Sequence, residues 1–94
     1  MGFIELITTM QSAVEIVNYN HGTNIEIYRI SKMRDYKQVV SFVLSDGTHA
    51  LDRVFDCSSI GIGYLTAAKI AKDISNEWFK KKAEKDEEER EYFF

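Results

Sequence analysis

Two histidines and one cysteine are the side chains of this 94-residue sequence best suited to nucleophilic or metal chemistry. His21 and His49 lack an Asp or Cys at the spacing of a catalytic or zinc motif. Asp56 precedes Cys57, and a neighbouring carboxylate makes a thiol less reactive. We predict no enzyme activity, no catalytic residue, no metal and no cofactor. The alternative is an incidental metal site joining His49, Asp52 and Cys57.

A second segment that could take part in binding or catalysis is Ser58-Ser59-Ile60-Gly61-Ile62-Gly63. Glycines before a helix N-terminus can present backbone N–H groups to a phosphate. A complete Gly-x-Gly-x-x-Gly would need glycine at position 66, which is Thr66, and no Gly-Lys-Ser/Thr follows. We therefore predict a plain loop in which Ser58 or Ser59 caps the next helix.

Charge is concentrated near the C-terminal end. The sequence carries a net charge of −3, and residues 84–91 hold six acids and two bases, so the rest of the chain is slightly positive. Aromatic residues follow at once, and aromatics are common anchors in partner pockets. We predict a partner-binding segment made of Asp86, Glu87, Glu88, Glu89, Glu91, Tyr92, Phe93 and Phe94.

That segment favours a protein partner with a basic groove, because a row of carboxylates can take the place of nucleic acid there. Lys80, Lys81 and Lys82 could contact phosphates, but the acids beside them would repel a nucleic acid. Direct nucleic-acid binding is not expected. The alternative is a solvated acidic tail that serves solubility only.

Length and composition indicate one small domain. No apolar run approaches the roughly 18 residues that a membrane span requires, and Met1–Met10 lacks the basic start of a secretory signal. The single Cys57 cannot form an internal disulfide. We expect a cytoplasmic protein without a membrane partner, in the host cytoplasm if it is phage-encoded.

Hydrophobic periodicity predicts a helix at each end of the chain. An apolar stripe about 120° wide runs from Phe3 to Val17, with turn residues at Asn18–Gly22, although a strand beginning at Phe3 is an alternative. A second stripe runs from Tyr64 to Trp78 and vanishes from Lys81 onward. We predict a domain over 1–80 and a charged extension over 81–94, either helical or a tail.

Three runs between the helices have strand composition: Ile25–Ile30, Lys37–Ser45 and Thr48–Phe55. Asp46-Gly47 favours a two-residue type I′ turn, which would pair Phe42 with Leu51 and Val40 with Arg53. The bulkier face, with these four residues, should face the core. The predicted fold is α+β, with an N-terminal helix, a three-stranded antiparallel sheet and a long C-terminal helix (αβββα).

Two helices can cover one face of such a sheet, which leaves the other face open. The open face would carry Val39, Val43, Ala50 and Val54, with Ser41 and Asp52 between them. It is more apolar than a solvated sheet surface usually is. A half-exposed sheet, helices split between the two faces, and a dimer or partner surface remain alternatives, so both a monomer and a homodimer are possible.

The order of these elements, with the acidic segment Asp86, Glu87, Glu88, Glu89 and Glu91, resembles small phage-encoded anti-defence proteins, particularly some anti-CRISPR inhibitors. That resemblance implies acidic side chains that mimic DNA and block a DNA-reading groove. Glu87 to Phe94 also resembles the acidic C-terminal tips of single-strand DNA-binding proteins, which end in Phe. The function that follows is a non-enzymatic inhibitor or adaptor acting on a basic nucleic-acid-handling protein. The alternative is an accessory domain that dimerises through the open sheet face.

Overall fold

The structure, a computed structural model, describes residues 3–32, 39–56 and 65–92. Its elements follow the order α1 (Phe3–His21), β1 (Glu26–Lys32), β2 (Val39–Ser45), β3 (Ala50–Asp56) and α2 (Leu65–Tyr92). The predicted αβββα fold is confirmed. The predicted loop Ser58–Gly63 and the serines predicted to cap the next helix lie outside the described residues, as do Cys57, Tyr64, Phe93 and Phe94.

The N-terminal segment is a helix and not the alternative strand. Its apolar stripe is buried at Leu6, Met10, Ala13, Val14 and Val17. The adjacent Thr8 and Thr9 have lower helix propensity than unbranched residues. Their hydroxyls donate to the carbonyls four residues earlier, at 3.0 and 2.7 Å, so both polar groups are satisfied within the helix.

The end of α1 is fixed by Gly22 and Asn18. Gly22 has a φ of +65°, a left-handed conformation that glycine adopts without strain, and its N–H donates to the Asn18 carbonyl at 2.8 Å. The Asn18 side chain donates to the Ile25 carbonyl at 3.0 Å and accepts from the Ile25 N–H at 2.9 Å. It also accepts from the Thr23 hydroxyl at 2.7 Å. One amide therefore fixes the connection from α1 to β1.

The three strands form one antiparallel sheet in the order β1-β2-β3. The predicted register of the β2–β3 hairpin is wrong by two residues, because Phe42 lies opposite Arg53 and Leu44 opposite Leu51. Ser45 pairs with Ala50, which leaves a four-residue loop in place of a two-residue turn. A shift of two residues keeps every side chain on its predicted face, since side chains alternate with a period of two.

Asp46 explains the longer loop. Its Oδ1 accepts from the Thr48 N–H at 2.9 Å, the Thr48 hydroxyl at 3.0 Å and the His49 N–H at 2.8 Å. These bonds satisfy the Thr48 and His49 N–H groups within the loop. Gly47 has a φ of +98°, where a side chain would be strained.

Both helices pack on the same face of the sheet. The buried cluster joins Val40, Phe42, Leu44 and Leu51 of the sheet to the α1 stripe and to Ile70, Ala71, Ile74 and Trp78 of α2. The alternative with one helix on each face is therefore wrong. Phe55 packs on this cluster, with its ring centroid 5.9 Å from that of Phe42. Neither described helix is long and apolar enough to cross a membrane.

Candidate protein-binding surfaces

Three contacts fix the direction of α2 against the hairpin. Arg53 forms an ion pair with Asp73, the His49 ring lies 4.5 Å from the Trp78 ring, and Lys85 Nζ donates to the Thr48 carbonyl at 3.4 Å. Residue numbers decrease along the hairpin as they increase along α2, so β3 and α2 run antiparallel. Thr48 is in the hairpin loop, and α2 passes the end of the sheet near Lys85.

The acidic segment begins at residue 86, directly after Lys85, which contacts the hairpin. α2 continues as a helix through Tyr92, so residues 86–92 extend it by about 10 Å. The contact of Lys85 with the hairpin lies past the predicted domain boundary at residue 80. The side chains of residues 86–92 lie outside the described part of the structure, as do Phe93 and Phe94.

The helical backbone of α2 places several glutamate positions on one side of the helix. At 100° per residue, positions 84, 87, 88 and 91 fall within a sector about 100° wide, and all four are glutamates. The C-terminal end of a helix carries partial negative charge, so carboxylates there are unfavourable and repel one another. A bound cationic surface would relieve both effects and stabilise this part of the helix.

The second candidate surface is the sheet face opposite the helices. Val54 is 58% exposed, Ala50 is exposed, and Val39 and Val43 are half-buried. These are the residues predicted for an open face, and no described element covers them. Among the described residues, the sheet therefore has one buried and one open face.

Two residues of this open face, Tyr28 and Arg29, were not predicted. A β-bulge interrupts the pairing of β1 between Ile27 and Arg29. The bulge lets Ile27 pair with Leu44 and Ile30 with Phe42 on the core face, so the period of two is broken. Tyr28 is 72% exposed, and Arg29 lies opposite Val43. The three-residue spacing of the two isoleucines is the sequence signal that could have indicated this.

Each histidine ring contacts an aromatic ring of α2. The His21 ring centroid lies 4.8 Å from that of Phe79, and His49 lies against Trp78. Asp52 is on the open face and His49 on the core side, so the structure does not bring them together. Within the described residues, no three His, Cys, Asp or Glu side chains form a group that could hold a metal.

A cleft of about 550 Å³ lies between the two helices, lined by Ile16, His21, Lys72, Ser75 and Phe79 among others. Its lining includes one imidazole and one ammonium group but no carboxylate. General acid–base catalysis needs a proton donor or acceptor within hydrogen-bonding distance of the reacting group.

Comparisons of the chain with protein-family models, with curated proteins and with solved structures give no match.

Proposed function

We propose that this chain is a non-enzymatic protein-binding inhibitor or adaptor. Its acidic-aromatic segment, residues 86–94, occupies a basic groove on a protein that handles nucleic acid. The continuation of α2 past the hairpin contact at Lys85 supports this proposal most directly, because it puts the carboxylate positions on a helix beyond the packed body. A phage origin, with a host protein as target, fits the same proposal.

The energetics favour a charged partner. Desolvating a carboxylate is costly unless a cation compensates it, and a groove lined with Lys and Arg supplies that compensation. Carboxylates near the C-terminal end of a helix are unfavourable, so a cationic partner would stabilise this part of α2. Long-range attraction would speed the encounter at low salt, and the aromatic residues would supply the apolar contact that charge alone lacks.

The experiment compares capture of bacterial proteins by three immobilised variants. The first is truncated after Lys85, which keeps the hairpin contact. The second carries Asn or Gln at the five acidic positions between 86 and 91 and retains the aromatics. The control carries Glu5→Gln and Glu15→Gln, which neutralise two exposed carboxylates of α1. Captured proteins are eluted with duplex DNA or with salt and then identified by mass spectrometry.

We expect the unmodified chain and the control to retain basic nucleic-acid-binding proteins that duplex DNA displaces. The truncated and neutralised chains should lose them, with thermal unfolding midpoints close to that of the unmodified chain. Capture by the neutralised chain equal to that by the control would refute the proposal. So would a captured set that DNA does not compete away.

A further inference from the structure

The open sheet face carries a charge pattern across its strands. Arg29 of β1 lies opposite Val43 of β2, and Val43 lies opposite Asp52 of β3. The three residues form one row, with a cation at one edge of the sheet, an apolar side chain in the centre and an anion at the other edge. Neither Arg29 nor Asp52 forms an ion pair with another described side chain. From this row we infer that a second copy of the chain covers the open face, in a two-fold dimer with parallel β2 strands.

The row is complementary to itself in only one of two simple arrangements. A two-fold axis along β2 lays β1 of one copy over β3 of the other, so each Arg29 meets an Asp52 and Val43 packs on its own counterpart. An axis across the strands that passes through this row lays β1 over β1, so Arg29 meets Arg29 and Asp52 meets Asp52. Like charges in contact are unfavourable, and the first arrangement is therefore selected.

The apolar part of the face supports the same contact. Val54 and Tyr28 are among the exposed large hydrophobic residues, and Val39 and Val43 lie between the edges. A two-fold interface uses the same patch on both copies, so a self-complementary surface is what it requires. Opposite charges at the edges with an apolar centre also match the usual division of an interface into rim and core.

The size of the face predicts a weak dimer. Three strands about 4.8 Å apart and seven residues long present a surface of roughly 14 by 23 Å. That is well below the roughly 800 Å² per partner of a standard stable interface. We therefore expect a concentration-dependent dimer whose dissociation constant lies between about 1 μM and 1 mM.

The parallel arrangement has a consequence for the acidic segments. Rotation about an axis along the strands preserves strand direction, so both α2 helices project from the same end of the dimer. Each α2 lies on the far side of its own sheet, which separates the two helices by roughly 30 Å. That exceeds the Debye length of about 8 Å at physiological salt, so their repulsion is screened. This consequence rests on the proposed function, since two segments on one end would bind a repeated basic target with avidity. The dimer itself does not depend on it.

The first test uses charge variants in sedimentation equilibrium. Arg29→Asp places Asp against Asp52 in both contacts, and Asp52→Arg places Arg against Arg29. Each single variant should dimerise at least about tenfold more weakly, and the double variant Arg29→Asp/Asp52→Arg should recover the original affinity. Glu15→Arg, which makes the same charge change as Asp52→Arg on an exposed position of α1, is the control. Circular dichroism verifies that each variant is folded.

The second test separates the two dimer arrangements. The unmodified chain, labelled with ¹⁵N, is mixed with the unlabelled double variant and examined by native mass spectrometry. The parallel dimer predicts self-sorting, because a mixed pair would place Asp on Asp and Arg on Arg. The arrangement with Arg29 on Arg29 predicts the opposite, a preference for mixed dimers.

Two results would overturn the inference. One is a monomer up to roughly 1 mM, the weak limit of the expected affinity. The other is a mixed dimer at or above the statistical proportion. Either result leaves the capture experiment on residues 86–94 unaffected, so failure of the dimer and failure of the proposed function can be told apart.

Discussion

His49 and Trp78 are packed edge to face, with ring centroids 4.5 Å apart and ring planes at 78°. Trp78 is fully buried, and the contact joins the end of the hairpin loop to the middle of α2. Neither His49 Nε2 nor Trp78 Nε1 has a hydrogen-bond partner among the described residues. The pair is therefore held by ring packing, while its two unpaired buried nitrogens oppose stability.

Substitutions of His49 and Trp78 should separate the effect of ring packing on stability from the effect of the unpaired nitrogens. Trp78→Ala should lower the free energy of unfolding by about 3–5 kcal/mol, because it leaves a large cavity in the core. His49→Ala should cost about 1 kcal/mol through loss of the ring contact. His49→Phe keeps a ring and removes an unpaired nitrogen, so it should be neutral or stabilising. Urea unfolding measures all three, and a His49→Phe variant as unstable as His49→Ala would contradict this interpretation.

The Asn18 amide should matter more for stability than its place at a helix end indicates. Asn18→Ala removes bonds to both backbone groups of Ile25 and to the Thr23 hydroxyl, and should cost about 2 kcal/mol. Asn20→Ala is the matched control, on an exposed position of the same helical turn, and should have little effect. Amide hydrogen exchange at Ile25 provides a local measurement, since its N–H donates to Asn18 Oδ1 at 2.9 Å. Equal stability of the two variants would contradict the role assigned to Asn18.

Asp46 should make the hairpin sensitive to acid. The backbone N–H groups of Thr48 and then His49 hold the pKa of the Asp46 carboxyl below its ordinary value. A lower pKa in the folded state means that this carboxylate stabilises the fold at neutral pH. The stabilisation is lost as the pH falls, first through the pKa of this carboxyl in the unfolded chain and then through its lower pKa in the folded chain. Below both values the carboxyl is protonated in the folded and in the unfolded state alike.

The test compares Asp46→Asn and Asp46→Ala with the unmodified chain. Asp46→Asn keeps an acceptor without a charge, so it should retain most of the stability at neutral pH and lose this acid dependence. Asp46→Ala removes all three bonds and should cost about 1 kcal/mol. Thermal unfolding across the acid range provides the comparison. An unchanged acid dependence in Asp46→Asn would show that another group is responsible.

Several features of the fold could be predicted from local patterns. The stripe of α1, the apolar side of α2 and the composition of the strands each predict an element, because period and propensity act over neighbouring residues. The core face of the sheet was also predicted correctly, with Val40, Phe42 and Leu51 buried and Arg53 half-buried. The acidic positions are likewise a property of the sequence, whereas their role in binding stays a prediction.

Other features depend on contacts that local patterns do not contain. The register of the hairpin was mispredicted because Asp46 uses its side chain to close a longer loop. Tyr28 and Arg29 join the open face through a bulge whose position depends on pairing with β2.

The sequence by itself determined which residues are apolar, where the chain turns and where negative charge accumulates, since these follow from residue type and spacing. Only the tertiary structure decided that both helices share one face, that Arg29, Val43 and Asp52 form a row, and that α2 passes the hairpin near Lys85. These relationships join residues far apart in the chain. They are fixed by the burial of one shared core, which no single segment specifies.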